Sequence, residues 1–212
     1  GAGSSSVEPA WSGLKRDFPA ANETAENPST LEKVELGRLL FFDPVLSQND
    51  DMSCASCHHP DQGFADGRPQ AFGADQKPLT RSAMSLWNVT YNTNFFWDGR
   101  ADTLEAQMET PITNPEEMGG SPEDIVAELK AIPEYVDLFE KAFGSADAVT
   151  YENVKNAIAA FERTIVTNNS PFDRYAAGDV NALSPSQRRG LGLFRSAATR
   201  CFECHAAPTF AD

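Results

Sequence analysis

One pattern, Cys-x-x-Cys-His, occurs twice in this chain and constrains it more than any other feature. The first copy runs from Cys54 to His58 and the second from Cys201 to His205. The pattern is the attachment signature of c-type haem: two thiols add to the two vinyl groups of one porphyrin, and the following imidazole ligates the iron. All four cysteines and two of the three histidines lie in the copies. We therefore predict two covalent c-type haems, attached and ligated by Cys54, Cys57, His58, Cys201, Cys204 and His205.

Other uses of cysteine explain this pattern less well. Disulfides would use the same four residues in one of three pairings, but they leave the histidine after each pair unexplained. Structural zinc needs four N or S ligands. The second copy offers only three, and the first would need the adjacent residues His58 and His59 to serve one metal. A thioredoxin-like site would need a βαβ context, which the sequence does not show.

Composition narrows the class of protein and its partners. A length of 212 residues predicts one large domain or two small ones. The net charge of −14 argues against nucleic acid and permits a basic electron-transfer partner, although plain solubility explains it equally well. No apolar run approaches the ~20 residues of a membrane span. Because covalent haem attachment implies export, we expect the periplasm or the outer cell surface. Residues 1–6 are typical of a processed or engineered end.

The spacing of apolar residues predicts a mainly α fold, with no alternating strand pattern. Ser29 and Glu32 resemble a capping box ahead of a helix over 31–42. Further helices are expected from Ser121 to a break at Pro133, over about 135–143, from Thr150, and from Ser184. The segment from about 61 to 94 is rich in Gly, Pro and Asn and predicts a long loop against which a haem can pack.

The chain also contains an internal repeat. A Leu-Gly pair precedes each Cys-x-x-Cys-His copy, at Leu36-Gly37 and Leu191-Gly192, and a Phe-Ala-Asp triplet follows each, at 64–66 and 210–212. This order indicates one haem-binding unit used twice. The second copy stops where the first continues to Trp97 and beyond. We therefore expect a truncated second domain, with further sequence after Asp212.

Five more motifs occur in one order between about residue 30 and the end: LGRLLFFDP at 36–44, FWDGR at 96–100, NPEEM at 114–118, AFERT at 160–164 and SPFD at 170–173. In these motifs the chain resembles the bacterial dihaem cytochrome c peroxidase and MauG family. The resemblance implies tandem c-type cytochrome domains with long haem-wrapping loops. It divides the chain into a flexible extension (1–29), a peroxidatic haem domain (30–167) and the start of an electron-transfer haem domain (168–212). It also implies calcium between the domains.

The resemblance further implies roles for three side chains. Trp97 corresponds to a tryptophan that mediates electron transfer between the haems; the alternative is an indole packed in an aromatic cluster. Glu117 corresponds to a distal glutamate that moves protons during peroxide cleavage, as a desolvated carboxylate can; the alternative is a solvated loop acid. Gln107 and Pro111 stand where relatives line the same pocket, although Gln107 could equally be a surface residue of a helix.

Two departures from the family pattern are visible. Typical members carry a distal histidine between the first haem motif and the tryptophan, but here that stretch reads Phe-Gly-Ala-Asp at 72–75. His59 is the neighbour of His58 and is expected to contact the loop or a propionate. Met84, Lys77 or a tyrosine could supply a sixth ligand, whereas an open or water-bound site resembles the MauG-like branch. Near Arg81, a common family asparagine is replaced by Ser82, so a calcium site would depend on carbonyls and water.

These features predict an exported dihaem oxidoreductase that uses hydrogen peroxide at the first haem. Electrons would pass through Trp97 to the second. The enzyme would take electrons from a small c-type cytochrome or a cupredoxin, or it would oxidise a partner protein as MauG-like enzymes do. The alternative is a dihaem electron-transfer cytochrome without peroxidase activity, which would need six-coordinate iron at both haems.

Overall fold

The computed structural model describes Phe18 and residues 20–210. It divides into two compact units, one formed by residues 21–166 and the other by 167–210 with the described residues of the N-terminal segment. The expectation for residues 1–6 lies outside the described residues, as do Ala211 and Asp212 of the second triplet.

The fold is mainly α, as predicted, and the described residues contain no β-strand. Three isolated bridges, His59–Ala65, Phe72–Pro78 and Phe95–Ala101, each join residues six positions apart and close a loop. No helix in the described ranges is long and apolar enough for a membrane crossing. The helices are α1 (Leu31–Phe42), α2 (Cys54–Cys57), α3 (Leu104–Gln107), α4 (Glu109–Thr113), α5 (Pro122–Ala131), α6 (Pro133–Phe143), α7 (Tyr151–Glu162), α8 (Pro171–Ala176) and α9 (Pro185–Phe194).

The ends of these helices follow from local chemistry. Ser121 caps α5 by accepting from the Asp124 N–H, with Pro122 as the first helical residue. Pro133 separates α5 from α6, and Gly144 ends α6 in the left-handed region with φ +72°. The start of α1 differs from the prediction, because Thr30 rather than Ser29 accepts from the Lys33 N–H.

The core of unit 21–166 is the packing of α1 against α7. Leu36, Leu40 and Phe41 on α1 are fully buried, as are Val154 and Ile158 on α7. Each such side chain contributes roughly 1.5–3 kcal/mol relative to exposure. The helices approach most closely at Gly37, where a Cβ atom would overlap the Ala157 carbonyl. The first Leu-Gly pair therefore marks a position at which only glycine lets the two backbones meet.

Residues ahead of α1 are also part of this unit. Asn27 is 2% exposed, donates to the Glu105 carboxylate at 2.7 Å and accepts from the Lys33 ammonium at 3.0 Å. The Asn22 N–H donates to the Thr90 carbonyl at 3.0 Å. These hydrogen bonds tie residues 22–27 to α1, α3 and the loop before Tyr91.

The described part of the second unit is smaller. It contains α8, α9 and a short 3₁₀ turn at Cys201–Glu203. The ring of Phe210 packs edge-on against Phe172 and Phe194, with centroids 4.8 and 5.7 Å apart. These three rings stabilise the chain on both sides of the second Cys-x-x-Cys-His copy.

Candidate functional site

A cavity of about 440 Å³ lies within unit 21–166. Ligand pockets in proteins range from roughly 300 to 1,000 Å³. The cavity is the point at which all the site residues predicted for this unit meet. They are Cys54, Cys57, His58, Trp97, Gln107 and Glu117.

The first Cys-x-x-Cys-His copy forms a single helical turn, α2. The Ser56 hydroxyl accepts from the Ser53 N–H at 3.0 Å, and the Cys54 carbonyl accepts from the His58 N–H at 2.9 Å. One turn therefore carries both thiols and the imidazole to the same cavity wall. That arrangement is what attachment of one porphyrin through two thioethers and one axial imidazole requires.

The imidazole of His58 is oriented by a backbone carbonyl. Its Nδ1 lies 2.9 Å from the Phe64 carbonyl oxygen, so Nδ1 is the protonated nitrogen and Nε2 carries the lone pair for a metal. Phe64 has φ +53°, a left-handed conformation that aims its carbonyl at His58. Burial lowers the pKa of His58, which keeps the imidazole neutral, as an iron ligand must be.

The second copy repeats this arrangement. His205 Nδ1 lies 3.1 Å from the Phe210 carbonyl, and Phe210 has φ +57°. The Phe-Ala-Asp triplets of the internal repeat thus begin with the residue whose carbonyl orients the histidine of each Cys-x-x-Cys-His copy. His205 is exposed and lines an open depression with Leu191, Phe194 and Phe210. Neither Cys201 nor Cys204 is among the residues that line it.

The thiols of the first copy fit haem better than zinc. Burial raises the pKa of Cys54, and burial with the nearby carboxylates of Asp66 and Glu117 raises the pKa of Cys57 to about 11. Neutral thiols disfavour a zinc thiolate site, which needs deprotonated ligands. Within the described ranges, no three His, Cys, Asp or Glu side chains are grouped to hold a metal ion. All four cysteines are free thiols, available to the vinyl groups of a porphyrin.

Glu117 is half-buried on the cavity wall and is held by Asn114. The Asn114 side-chain amide donates to Glu117 Oε1 at 2.9 Å, and the Glu117 N–H donates to the Asn114 carbonyl at 2.9 Å. Within the described residues, the other carboxylate oxygen, Oε2, has no hydrogen-bond partner. The Asn-Pro-Glu-Glu-Met motif therefore builds one turn in which Asn114 holds Glu117 Oε1.

The stretch that lacks the family histidine packs against this same turn. The Ala74 N–H donates to the Glu117 carbonyl at 2.9 Å, and a Cβ atom on Gly73 would overlap the Glu116 carbonyl. Gly73 therefore permits the close approach of the two loops. His59 is not among the lining residues, because its Nδ1 instead accepts from the Asp61 N–H at 3.3 Å.

Trp97 lies at the tip of the loop that the Phe95–Ala101 bridge closes. Its indole Nε1 donates to the Ser82 carbonyl at 3.0 Å, and the residue is 59% exposed. Asp98 forms ion pairs with Arg81 at 3.0 Å and with Arg100 at 2.8 Å. The Arg100 guanidinium lies 3.4 Å from the centroid of the Phe96 ring. Among the described rings, Trp97 packs against neither Phe95 nor Phe96, so the hydrogen bond to Ser82 is what positions the indole.

Several lining residues could not be singled out from the sequence. Besides the candidate ligand Met84, the other three methionines of the chain also line this cavity: Met52, Met108 and Met118. Of the alternative sixth ligands, Met84 lines the cavity, whereas Lys77 is exposed and pairs with Asp75. Glu162 also lines the cavity. The AFERT motif that contains Glu162 contributed to the resemblance to the family, but nothing in the sequence indicated that Glu162 lies at the cavity.

Similarity to known proteins extends over most of the chain. The family model described as di-haem cytochrome c peroxidase matches residues 31–181. The chain is 46% identical to the methylamine utilization protein MauG of Methylorubrum extorquens over 88% of this chain and 52% of that protein. It is 41% identical to the cytochrome c551 peroxidase of Pseudomonas aeruginosa over 86% of this chain and 53% of that protein.

A solved structure shows the same fold. The crystal structure of a MauG-like protein associated with microbial copper homeostasis superposes with a TM-score of 0.86 at 31% identity, covering 93% of this chain and 59% of the other. The chain spans about half the length of the curated relatives it matches.

Proposed function

Since the chain belongs to the dihaem cytochrome c peroxidase and MauG family, we propose that it is the peroxide-activating part of a dihaem oxidoreductase. The observation that carries this proposal is the single cavity lined by both thiols of the first haem motif, by His58 and by Glu117. Cys54 and Cys57 would hold the haem through thioethers, and His58 Nε2 would ligate its iron. When bound, the haem supplies the iron that binds hydrogen peroxide and takes up its oxidising equivalents.

In this proposal, Glu117 moves the protons of peroxide cleavage. Reduction of peroxide to two waters consumes two electrons and two protons. Glu117 Oε2 accepts the proton of one peroxide oxygen and returns it to the departing oxygen, so that water leaves rather than hydroxide. Asn114 keeps the carboxylate aimed into the cavity. Gln107 lines the same wall and is positioned to donate a hydrogen bond from its amide to the bound peroxide.

Trp97 is proposed to carry electrons between this cavity and a second haem held by Cys201, Cys204 and His205. The hydrogen bond to Ser82 supports the role, because it fixes the indole at the cavity wall. Two outputs follow from the family. Either a small c-type cytochrome or a cupredoxin replaces the electrons, or a partner protein is oxidised. The two outputs can be distinguished by incubating the protein with peroxide and each class of partner. Only oxidation of a partner protein leaves that partner covalently modified.

Export to the periplasm and binding of calcium are further parts of the proposal. Covalent attachment of haem to cysteine supports export. Any calcium ion near Ser82 would depend on carbonyl oxygens and water, because the described residues there offer no cluster of carboxylates. The charge of −14 supports a basic patch on the electron donor.

The haem content can be tested by mass. We expect the denatured protein, isolated from a host that matures c-type cytochromes, to keep two haem increments above the polypeptide mass. Cys57→Ser should remove one thioether, and Cys54→Ser with Cys57→Ser should remove one whole increment. Cys201→Ser with Cys204→Ser is the matched pair and should remove the other increment. A wild-type mass without covalent haem would contradict the proposal.

The resting state should be open at the first haem. Nδ1 of His58 and of His205 each hydrogen-bonds to a phenylalanine carbonyl, and Nδ1 of His59 caps a turn outside the cavity. None of these three histidines would therefore ligate the iron of the first haem on the side opposite His58. We expect partly high-spin iron in the fully oxidised protein, binding of cyanide, and direct reaction with peroxide.

Electron paramagnetic resonance of the resting state and rapid mixing with peroxide measure this directly. A protein that is entirely low-spin and reacts only after one-electron reduction would show a closed site. A low-spin protein that never reacts would indicate the electron-transfer cytochrome instead.

A further inference from the structure

Glu162, the last residue of α7, is a buried acid in the wall of the haem cavity. It is 4% exposed and is one of the residues that line the cavity. Its Oε2 atom has no hydrogen-bond partner among the described residues. A carboxylate without a partner is costly to bury, and the mechanism proposed above does not use this residue.

The charges around Glu162 leave it incompletely neutralised. Burial raises the pKa of Glu162 to about 8; Arg163 opposes the shift and Glu105 adds to it. The Arg163 guanidinium donates hydrogen bonds to the Glu105 carboxylate at 2.7 Å and to the Asn22 carbonyl at 2.9 Å. Burial, and next the Glu162 carboxylate, raise the pKa of Cys54 on α2. Lys33 on α1 donates to Asn27, which donates to Glu105, and Lys33 also interacts electrostatically with Arg163 and Glu105. Burial therefore favours the protonated form of Glu162.

Unpaired polar atoms concentrate at this point of the fold. Besides Glu162 Oε2, the buried atoms Glu105 Oε2 and Arg163 Nη1 lack partners. Buried polar groups are nearly always hydrogen-bonded, and exceptions mark enclosed water or functional chemistry. These three atoms belong to Glu162, to its neighbour Arg163 and to the Glu105 carboxylate that pairs with Arg163. The buried polar groups around Glu162 are therefore left without a full set of hydrogen bonds.

We propose that Glu162 is the redox-linked proton carrier of the first haem site. It holds its proton while the haem is reduced and releases it when the haem loses one electron. The electron leaves to the external oxidant and the proton leaves to solvent, so the net charge of the cavity is unchanged. The inference rests on haem attachment at Cys54 and Cys57, as proposed above.

The physical reason is charge compensation in a poorly solvated space. Oxidation adds one positive charge to the cavity, and a nearby positive charge favours the carboxylate over the carboxylic acid. Between the pKa that Glu162 has beside the oxidised haem and the higher pKa that it has beside the reduced haem, oxidation is accompanied by proton release. The reduction potential of the first haem should therefore fall as pH rises, by up to about 59 mV for each tenfold change in proton concentration.

The test is a spectroelectrochemical titration of the first haem in the dihaem protein at a series of pH values around 8. We expect the falling potential in wild type and a flat line in Glu162→Gln, which keeps the shape of the side chain without the titration. Glu152→Gln is the matched control, because Glu152 lies on the same helix, is exposed and pairs with Lys155. It should keep the wild-type slope. An unchanged slope in Glu162→Gln would overturn the proposal.

A second measurement covers the case in which Glu162→Gln loses its haem. The redox-difference infrared spectrum of wild type should show a protonated carboxyl band that disappears on oxidation. Absence of this band would also overturn the proposal. Neither readout uses peroxide, so a protein that shows the slope but fails to react with peroxide would contradict the proposed enzyme and leave the role of Glu162 standing.

Discussion

Replacing Glu117 by glutamine is expected to leave both haems attached and to slow the reaction with peroxide by about 10²–10⁴-fold, the usual contribution of acid–base assistance. Glutamine keeps an oxygen that can accept from the Asn114 amide, so the turn and the cavity should persist. What is lost is the oxygen that exchanges a proton. Stopped-flow mixing of the oxidised protein with peroxide, followed through the haem absorbance, measures the effect.

The neighbouring acid provides the control for this substitution. Glu116 has the same chemistry and lies one residue away, but it is exposed and is not among the lining residues. Glu116→Gln should therefore react at the wild-type rate. If Glu117→Gln reacts as fast as Glu116→Gln, the proton must be moved by another group, and the assignment of Glu117 from its motif would be wrong.

The second large effect concerns the crossing of α1 and α7. In Gly37→Ala the added methyl group meets the Ala157 carbonyl, which belongs to a buried helix and cannot move like a flexible side chain. We expect a loss of about 2–3 kcal/mol in the free energy of unfolding, near the upper end of the usual cost of overpacking. Denaturant unfolding followed by far-ultraviolet circular dichroism measures it.

Gly192→Ala is the matched control for Gly37→Ala. Gly192 also lies inside a helix, but a Cβ atom there meets nothing within 4 Å, and Gly192 is not among the residues that line the depression around His205. Alanine in place of a helical glycine is worth roughly 0.5–1 kcal/mol in favour of folding, so this variant should be neutral or slightly more stable. A Gly37→Ala protein with the wild-type midpoint would show that the helices can separate without cost.

The parts of this protein that sequence could predict are those that depend on neighbouring residues. The haem motif is one helical turn, so its spacing alone places Cys54, Cys57 and His58 on one wall. The caps at Ser121 and Gly144 follow from side-chain and backbone chemistry within four residues. The predicted cap of α1, Ser29, was wrong by one residue, because Ser29 and Thr30 are both good capping residues. Which of the two caps the helix depends on where the chain enters it, and that is not visible in the sequence.

The features that sequence did not predict depend on tertiary structure. Glu162 follows three apolar residues at helical spacing, Val154, Ile158 and Phe161, and nothing local shows whether its carboxyl meets water or a cavity. The four methionines converge from separate loops and helices. For the histidines, the repeated Phe-Ala-Asp triplet was a visible signal. The sequence did not show what the triplet does, because its phenylalanine acts through a backbone carbonyl, which every residue has. The left-handed φ that aims this carbonyl is also uncommon for phenylalanine, so it could not be expected.

That carbonyl has a consequence for how the protein can evolve. In many metal sites the ligating histidine is oriented by an aspartate or glutamate, which one nucleotide change can remove. Here the acceptors for His58 and His205 belong to the main chain, and no substitution at position 64 or 210 deletes them. Changes at these positions can tilt the acceptor only by altering the loop. Under the proposed ligation, substitutions could therefore change the side chains around each iron while the acceptor of each ligating imidazole stays a neutral main-chain carbonyl.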